Sequence, residues 1–259
     1  RIFNCSMLSQ AETANMFQIA RGCGVEAFTT SGDLQTLQWV NKLDPVAHKI
    51  SSGLLSCTPM VSEVVKLARP VIMSTGMSGI ETINDAVNLT KHSGCQAALL
   101  QCTTQYPCPI DKLNLAVIRS LHNRFQLPTG LSDHSEGINI GPLAVAAGAR
   151  IIEKHVTFDK SLPGFDHSIS LMSDEFAQMV DLIRAAETAL GNSAKIVDDE
   201  MCEQAQSFER FLSTAKNFDK GHALTLEDLL FMRFAKGGVG IPSRHIANVI
   251  GKKINKRLI

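Results

Sequence analysis

Two histidines and a glutamate stand where the strands of a parallel α/β chain would end. In TGLSDHSEGINIGPLAVAAGARIIEKHVTFDKSLPGFDHSIS, from Thr129 to Ser170, an apolar run gives way to a polar tip at His134 and again at His155. A helix-like, Ala/Gly-rich run from Gly141 to Ala149 joins the two. Strand, polar tip, helix and strand in that order make a parallel βα unit, and such units collect their chemistry at the carboxyl ends of the strands. Side chains alternate along a strand, so Glu153 shares the face of His155. Two imidazoles and a carboxylate at one mouth suit a divalent cation. Their separation matches no local metal-ligand spacing, and a hydrogen-bonded core role for either histidine stands beside the metal reading. Asp133 and Asp166 offer further acceptors in the same stretch.

Lys49 is the second chemical signal. It closes the apolar run Val46 to Ile50, where an unpaired buried ammonium would be costly. It reads either as a point charge for an anion or as the Schiff-base nucleophile of an aldolase. Ser51, Ser52 and Gly53 follow at once and suit phosphate oxygens, which favours the anion. A solvated loop lysine is the plainer alternative. Thr30 ends another apolar run, although a hydroxyl there is often only a cap. Tyr106, the single tyrosine, is either a pocket group or a core ring with one satisfied hydroxyl.

These segments resemble the sialic acid synthase family. The likeness is carried by GLSDHSEG, the Ala-Val-Ala-Ala-Gly-Ala run, IIEKHVTFDK and GFDHSIS, together with KISSG, RPVIMSTGMS and LLQCTTQYP. It runs in order over nearly the whole chain. The resemblance implies condensation of phosphoenolpyruvate with an N-acylhexosamine, either N-acetylmannosamine or a 2,4-diacetamido sugar. The product would be a nine-carbon 2-keto-3-deoxy sugar acid, with release of phosphate. By the same resemblance Thr30, Lys49, Ser52 and Ser132 bind phosphoenolpyruvate, and Thr104, Tyr106, Asp166 and Arg233 bind the sugar. His134 and His155 would hold a divalent metal (manganese, magnesium or cobalt) with Glu153 close by. Lys49, Glu153, His134 and His155 form the implied catalytic set.

The implied fold is a (β/α)8 TIM barrel whose first strands would precede Arg1, plus a small antifreeze-like (SAF) domain. The expected limits are residues 1–191 for the barrel, 192–207 for a linker, and 208–259 for the antifreeze-like part, clipped at its end. In the family, an arginine matching Arg233 reaches the sugar end of a partner's pocket in a domain-swapped homodimer. Three departures leave the sugar open: Leu54 replaces an acidic residue, Thr30-Ser31-Gly32 replaces a TPF triplet, and Thr104 replaces an asparagine.

The elements that must position these groups follow from periodicity. Ser9 can cap a helix running to Gly22, and VEAFTT (Val25 to Thr30) reads as a strand. Strands at Val46–Ile50, Val71–Thr75 and Ala97–Gln101 alternate with helices at Leu34–Leu43, Met60–Ala68, Glu81–His92 and Asn114–Phe125. TGL and RIIEK supply two more strands, and a helix from Glu175 to Leu190 closes the unit at Gly191. That makes six strands, or seven with Ile2 to Cys5, in the cadence of a parallel α/β fold. Beyond the acidic stretch Asn192 to Gln206 the texture changes to short strands and turns.

Composition narrows the function. A chain of 259 residues, 44% hydrophobic and 19% charged, can bury one large core plus an appendage. With 25 basic and 25 acidic residues it carries no electrostatic footprint for nucleic acid or an anionic membrane. No apolar run approaches the length of a bilayer span, and no cationic start leads into a signal-peptide core. Seven scattered cysteines without a CxxC pair fit a reducing, cytoplasmic setting, with Cys102 and Cys108 packing near a strand end. Neither a GxGxxG nor a Walker A loop is present. The rival from another class is a non-catalytic binding protein built on the antifreeze-like end. Lys220, Glu227, Arg233, Lys236, Arg244 and Lys252 disfavour the flat face that ice binding needs.

Overall fold

A computed structural model describes residues 8–233 and 240–256. The possible strand Ile2 to Cys5, Lys236 and part of the MRFAKGGVG stretch lie outside the described residues. The chain divides into two compact units, Arg1–Gly191 and Asn192–Ile259.

The first unit opens on α1 (Gln10–Gly22), closed at its start by a capping box in which Ser9 and Glu12 satisfy each other's backbone N–H. α2 (Leu34–Asn41) begins at Asp33, whose carboxylate accepts the Thr36 N–H at 2.7 Å. Strands and helices then alternate: β1 (His48–Ile50), α3 (Thr58–Lys66), β2 (Val71–Ser74), α4 (Ile80–Ser93), β3 (Ala97–Cys102) and α5 (Ala116–Phe125). β4 (Thr129–Asp133), α6 (Ile140–Ala146), β5 (Ile151–Lys154) and α7 (Ser173–Leu190) complete it. Gly94 and Gln126 end α4 and α5 in left-handed conformation, releasing the chain toward the next strand.

The five strands are parallel and lie in chain order, β1-β2-β3-β4-β5. Parallel crossovers are right-handed, so an order that never reverses puts every helix on the same face of the sheet. The sheet curls around its other face as half of a TIM-like barrel. Ile50, Val71, Met73 and Leu99 meet Val64, Leu121 and Phe125 in the larger apolar cluster under the helices. Leu131 packs with Ile118, Ile140 and Ala144 in a second one.

Among the described residues, five strands stand in this sheet where six were expected. The expected strand Val25 to Thr30 reduces to one parallel bridge, Thr30 to Lys49. A strand needs a ladder, and beyond that bridge Val25 and Phe28 stay 59% and 43% exposed.

The second unit has its own small core of Phe218, Leu224, Leu229 and Ile254. Its antiparallel pair is β6 (Phe211–Thr214) and β7 (Leu229–Met232). The stretch expected as a linker is not featureless: α8 (Asp199–Phe208) occupies much of it. Asp198 accepts the Met201 N–H at 2.7 Å, and Asp199 and Glu200 favour the positive end of the helix, so the acidic VDDE run works as a helix start.

Candidate active site

Register decides which side chains meet at the barrel mouth. Lys49 pairs with Ile72, Ser74 with Leu100, Cys102 with Ser132, and Ser132 with Glu153. Alternation puts Lys49, Ser74, Cys102, Ser132 and Glu153 on the face away from the helices. They line a cleft of about 1180 Å³ at the carboxyl ends of the strands. Thr30, Ser52, Thr104, Tyr106, His134 and His155 border the same space.

The ammonium sits at the floor. Lys49 Nζ donates to Ser74 Oγ at 2.7 Å and to the Ile50 carbonyl at 3.3 Å, and lies 3.5 Å from Glu153 Oε2. The other carboxylate oxygen, Oε1, accepts the Ser132 hydroxyl at 2.6 Å. The lysine is 8% exposed, so its charge is met by one carboxylate and one hydroxyl in a site of low dielectric. Ser52 Oγ accepts the Gly76 N–H at 3.0 Å, and Cys102 Sγ lies 3.5 Å away. Gly76 is needed by this crowding. A β-carbon there would collide with Thr104 Oγ1 and lie 2.9 Å from both Cys102 Sγ and Ser52 Oγ.

Across the mouth the imidazoles of His134 and His155 face each other at 5.4 Å between centroids. Tyr106 stacks on His134 at 4.0 Å and meets His155 edge-on at 5.9 Å. His134 Nδ1 lies 3.0 Å from the Thr103 carbonyl, which can only accept, so Nδ1 carries the proton and Nε2 keeps its lone pair. His155 Nδ1 lies 3.6 Å from Asp166 Oδ2.

Charge and burial tune these groups in opposite senses. Burial alone would lower the His134 pKa, but bonds to Cys102 and the Thr103 carbonyl, with the charges of Cys102 and Glu153, raise it overall. Burial lowers that of His155 more than Asp166 and Glu153 raise it. Burial would raise the Cys102 thiol, yet its contacts with His134, Ser52 and Ser132 bring it down. Burial pushes Tyr106 up to about 12, helped by Cys102, Asp166 and Glu153, so the phenol keeps its proton as a donor.

Part of the donor set that a divalent cation needs is in place. Two imidazole nitrogens are presented to one space, and the Thr103 carbonyl orients His134 as carbonyls orient histidine ligands. Among the described residues, no group of three His, Cys, Asp or Glu side chains is arranged around a single point. The two imidazoles could supply two ligands to such an ion, and no third protein side chain of these types joins them among the described residues.

Several expectations change. Asp133 adds no acceptor to the cleft: it falls on the opposite face of β4 and is consumed by Lys154 at 2.8 Å. Leu54 is not among the residues bordering the cleft and packs, partly buried, against the larger apolar cluster. Asp166 reaches the cleft through its neighbour His155, which borders it. Arg233, which the sequence assigns to the carboxyl-terminal part, lies in the second unit with its guanidinium 4.8 Å above the Phe208 ring. Ser74 and Cys102 were missed as cleft residues. Ser74 ends an apolar run with a small polar side chain, the signal that marked Thr30, whereas Cys102 follows Gln101 and carried no such mark.

Comparison with known proteins shows the family. Residues 1–195 match the model of the NeuB family. The chain is 34% identical over 256 residues to the N,N'-diacetyllegionaminic acid synthase of Legionella pneumophila, covering 97% of this chain and 71% of that protein. It is 34% identical over 244 residues to the pseudaminic acid synthase of Campylobacter jejuni strain 81-176, covering 94% and 70%. The crystal structure of the N-acetylneuraminic acid synthetase of Leptospira borgpetersenii, in complex with citrate, superposes with a TM-score of 0.74 at 29% identity, covering 77% of this chain and 70% of that one. With three quarters of its length under one family model and a barrel mouth built from that family's motifs, the chain belongs to the NeuB family.

Proposed function

We propose that the protein condenses phosphoenolpyruvate with the open-chain aldehyde of an N-acylated amino sugar. The product is a nine-carbon 2-keto-3-deoxy sugar acid, and inorganic phosphate is released. The observation that carries this reading is Lys49 among Ser52, Ser74 and Ser132, opposite the facing imidazoles of His134 and His155.

Lys49, with Thr30, Ser52 and Ser132, binds the carboxylate and phosphate of phosphoenolpyruvate. A buried ammonium flanked by hydroxyls is strong toward such an anion because little water competes. His134 and His155 would hold a manganese, magnesium or cobalt ion, which supplies Lewis-acid polarisation of the aldehyde oxygen when bound. Tyr106 donates its phenol proton to a sugar oxygen, and Thr104 and Asp166 orient the sugar chain. The methylene carbon of phosphoenolpyruvate attacks the aldehyde carbon, forming the new C–C bond. The aldehyde oxygen takes up a proton and becomes a hydroxyl. Water adds at the phosphate-bearing C2, left cationic by that attack, and the C–O bond to phosphate breaks as the added hydroxyl gives up its remaining proton, leaving the ketone. Glu153, between Lys49 and Ser132, is placed to hold the proton shed by that water. The Asn-to-Thr replacement at Thr104, and likeness to both a diacetyllegionaminic acid synthase and an N-acetylneuraminic acid synthetase, leave both 2-acetamido and 2,4-diacetamido sugars as substrates.

The second unit is proposed to be the antifreeze-like domain of a domain-swapped homodimer, with Arg233 serving the partner's sugar. Leu230, Phe231 and Met232 beside it are 44%, 47% and 45% exposed, an apolar strand suited to being covered. Light scattering on the full chain would read the dimer directly.

The test of the chemistry is a panel of 2-acetamido and 2,4-diacetamido hexoses incubated with phosphoenolpyruvate and Mn2+. Phosphate and a 2-keto acid should form in equal amounts with one or more sugars. Absence of phosphate release across the panel would sink the reading. The Schiff-base alternative predicts that borohydride and pyruvate label Lys49, and the condensation reading predicts that they leave it unmodified.

A further inference from the structure

We propose that the buried ion pair Asp133–Lys154 is a positioning device that sets the two imidazoles of the site against one another. The inference rests on the metal-assisted reading above. Asp133 immediately precedes His134, Lys154 immediately precedes His155, and the two are register partners across β4 and β5. Lys154 Nζ lies 2.8 Å from Asp133 Oδ2, with the side chains 1% and 0% exposed.

The pair is also tied into the backbone around His134. Asp133 Oδ1 accepts the Ser135 N–H at 2.9 Å and the Ser135 hydroxyl at 2.6 Å. Lys154 Nζ donates to the Ser135 carbonyl at 2.5 Å. The chain is therefore pinned immediately before and after His134, and the same lysine anchors the residue before His155. Thr103 fixes the remaining freedom of the His134 ring through Nδ1.

Burying two charges has a desolvation cost that apolar residues of similar volume would avoid, so packing alone does not account for this pair. Charge-assisted bonds supply direction, which apolar contacts do not. Here every one of those bonds points at the two strand tips that carry the imidazoles. Groups one step behind metal ligands act in this way, and their loss weakens metal affinity while the ligands themselves remain.

The test uses the full chain carrying Asp133→Asn together with Lys154→Met. This double variant removes both charges at once, leaves no lone buried charge, and keeps an amide oxygen for the Ser135 N–H. Mn2+ alone is titrated by the electron paramagnetic resonance of the free ion, and phosphoenolpyruvate binding is measured separately in EDTA. Mn2+ affinity should fall about 10–100-fold, while phosphoenolpyruvate affinity stays within about threefold of the parent, less than the loss of one neutral hydrogen bond. Parental Mn2+ affinity, or an equal loss of both ligands, would overturn the role. Should the double variant fail to fold, Ser135→Ala decides: loss of its hydroxyl bond should weaken Mn2+ about two- to fivefold, and unchanged affinity would overturn the proposal. A parent chain that takes up no Mn2+ would remove the metal reading itself, and the inference with it.

Discussion

Lys49 Nζ and Ser74 Oγ, from neighbouring strands, are 2.7 Å apart on the face of the sheet turned away from the helices. The bond holds the ammonium at the floor of the cleft, with Glu153 on its other side. Lys49→Ala should raise the KM for phosphoenolpyruvate about 10–100-fold, the loss of one charge-assisted contact, and that for the sugar much less. Ser74→Ala should act in the same direction and more weakly. Steady-state kinetics with each substrate varied in turn would separate the two. An equal rise in both constants would mean that the lysine does not serve the anion.

His134 and His155 face each other across the mouth at 5.4 Å. His134→Ala and His155→Ala should each lower turnover by at least about 100-fold, since a Lewis acid at a developing alkoxide is worth several kcal/mol. EDTA should abolish activity in the parent, and Mn2+ should restore it. Full turnover in EDTA would refute the metal role.

Gly76 touches Ser52, Cys102 and Thr104 where three strand ends converge. Gly76→Ala should push these side chains apart and reduce phosphoenolpyruvate affinity about tenfold or more, a shift of the order expected when a well-packed site takes one extra methyl. Calorimetric titration would show it. A parental dissociation constant would mean that the convergence has no part in binding.

Lys154→Met alone leaves Asp133 as a buried, unpaired carboxylate. Loss of one partner from such a pair typically costs about 3–5 kcal/mol. Urea denaturation followed by far-ultraviolet circular dichroism should show that loss, and the Asp133→Asn/Lys154→Met double variant should recover much of it.

His48 is buried on the helix side of β1 and bonds to Asn41 Oδ1 at 3.3 Å, an oxygen that Arg69 Nε also uses at 3.2 Å. An oxygen can only accept, so Nε2 carries the proton and Nδ1 is left without a partner. Burial, then the Arg69 charge, lowers the His48 pKa below its ordinary 6.5. The folded state therefore binds this proton less readily than the unfolded chain. Its stabilising effect is complete above about pH 6.5 and is lost as pH falls from there through the folded-state pKa. A His48→Met variant should lose less stability than the parent between pH 7.5 and 5, read as thermal midpoints. Parallel curves would refute the assignment.

Much of the barrel half was legible because its signals are local. Ser9 and the apolar runs each act within a few residues, so a helix start and the strand positions follow from the chain itself. The switch from apolar to polar at Lys49, Ser132, His134 and His155 marked strand ends for the same reason. The strand expected at Val25 to Thr30 failed because local propensity cannot supply the partner strand that a ladder requires.

Tertiary structure alone decided which polar groups at those ends face the cleft. Side chains of adjacent residues point to opposite sides of a sheet, so parity and register turned Asp133 and Lys154 toward the helices and Ser132, His134, Glu153 and His155 toward the mouth. The loop after β1 likewise packed Leu54 against the core while keeping Ser52 at the cleft. Ser74 and Cys102 entered the site through cross-strand contacts with Lys49 and Ser52, distances set by how strands far apart in the chain come to lie side by side.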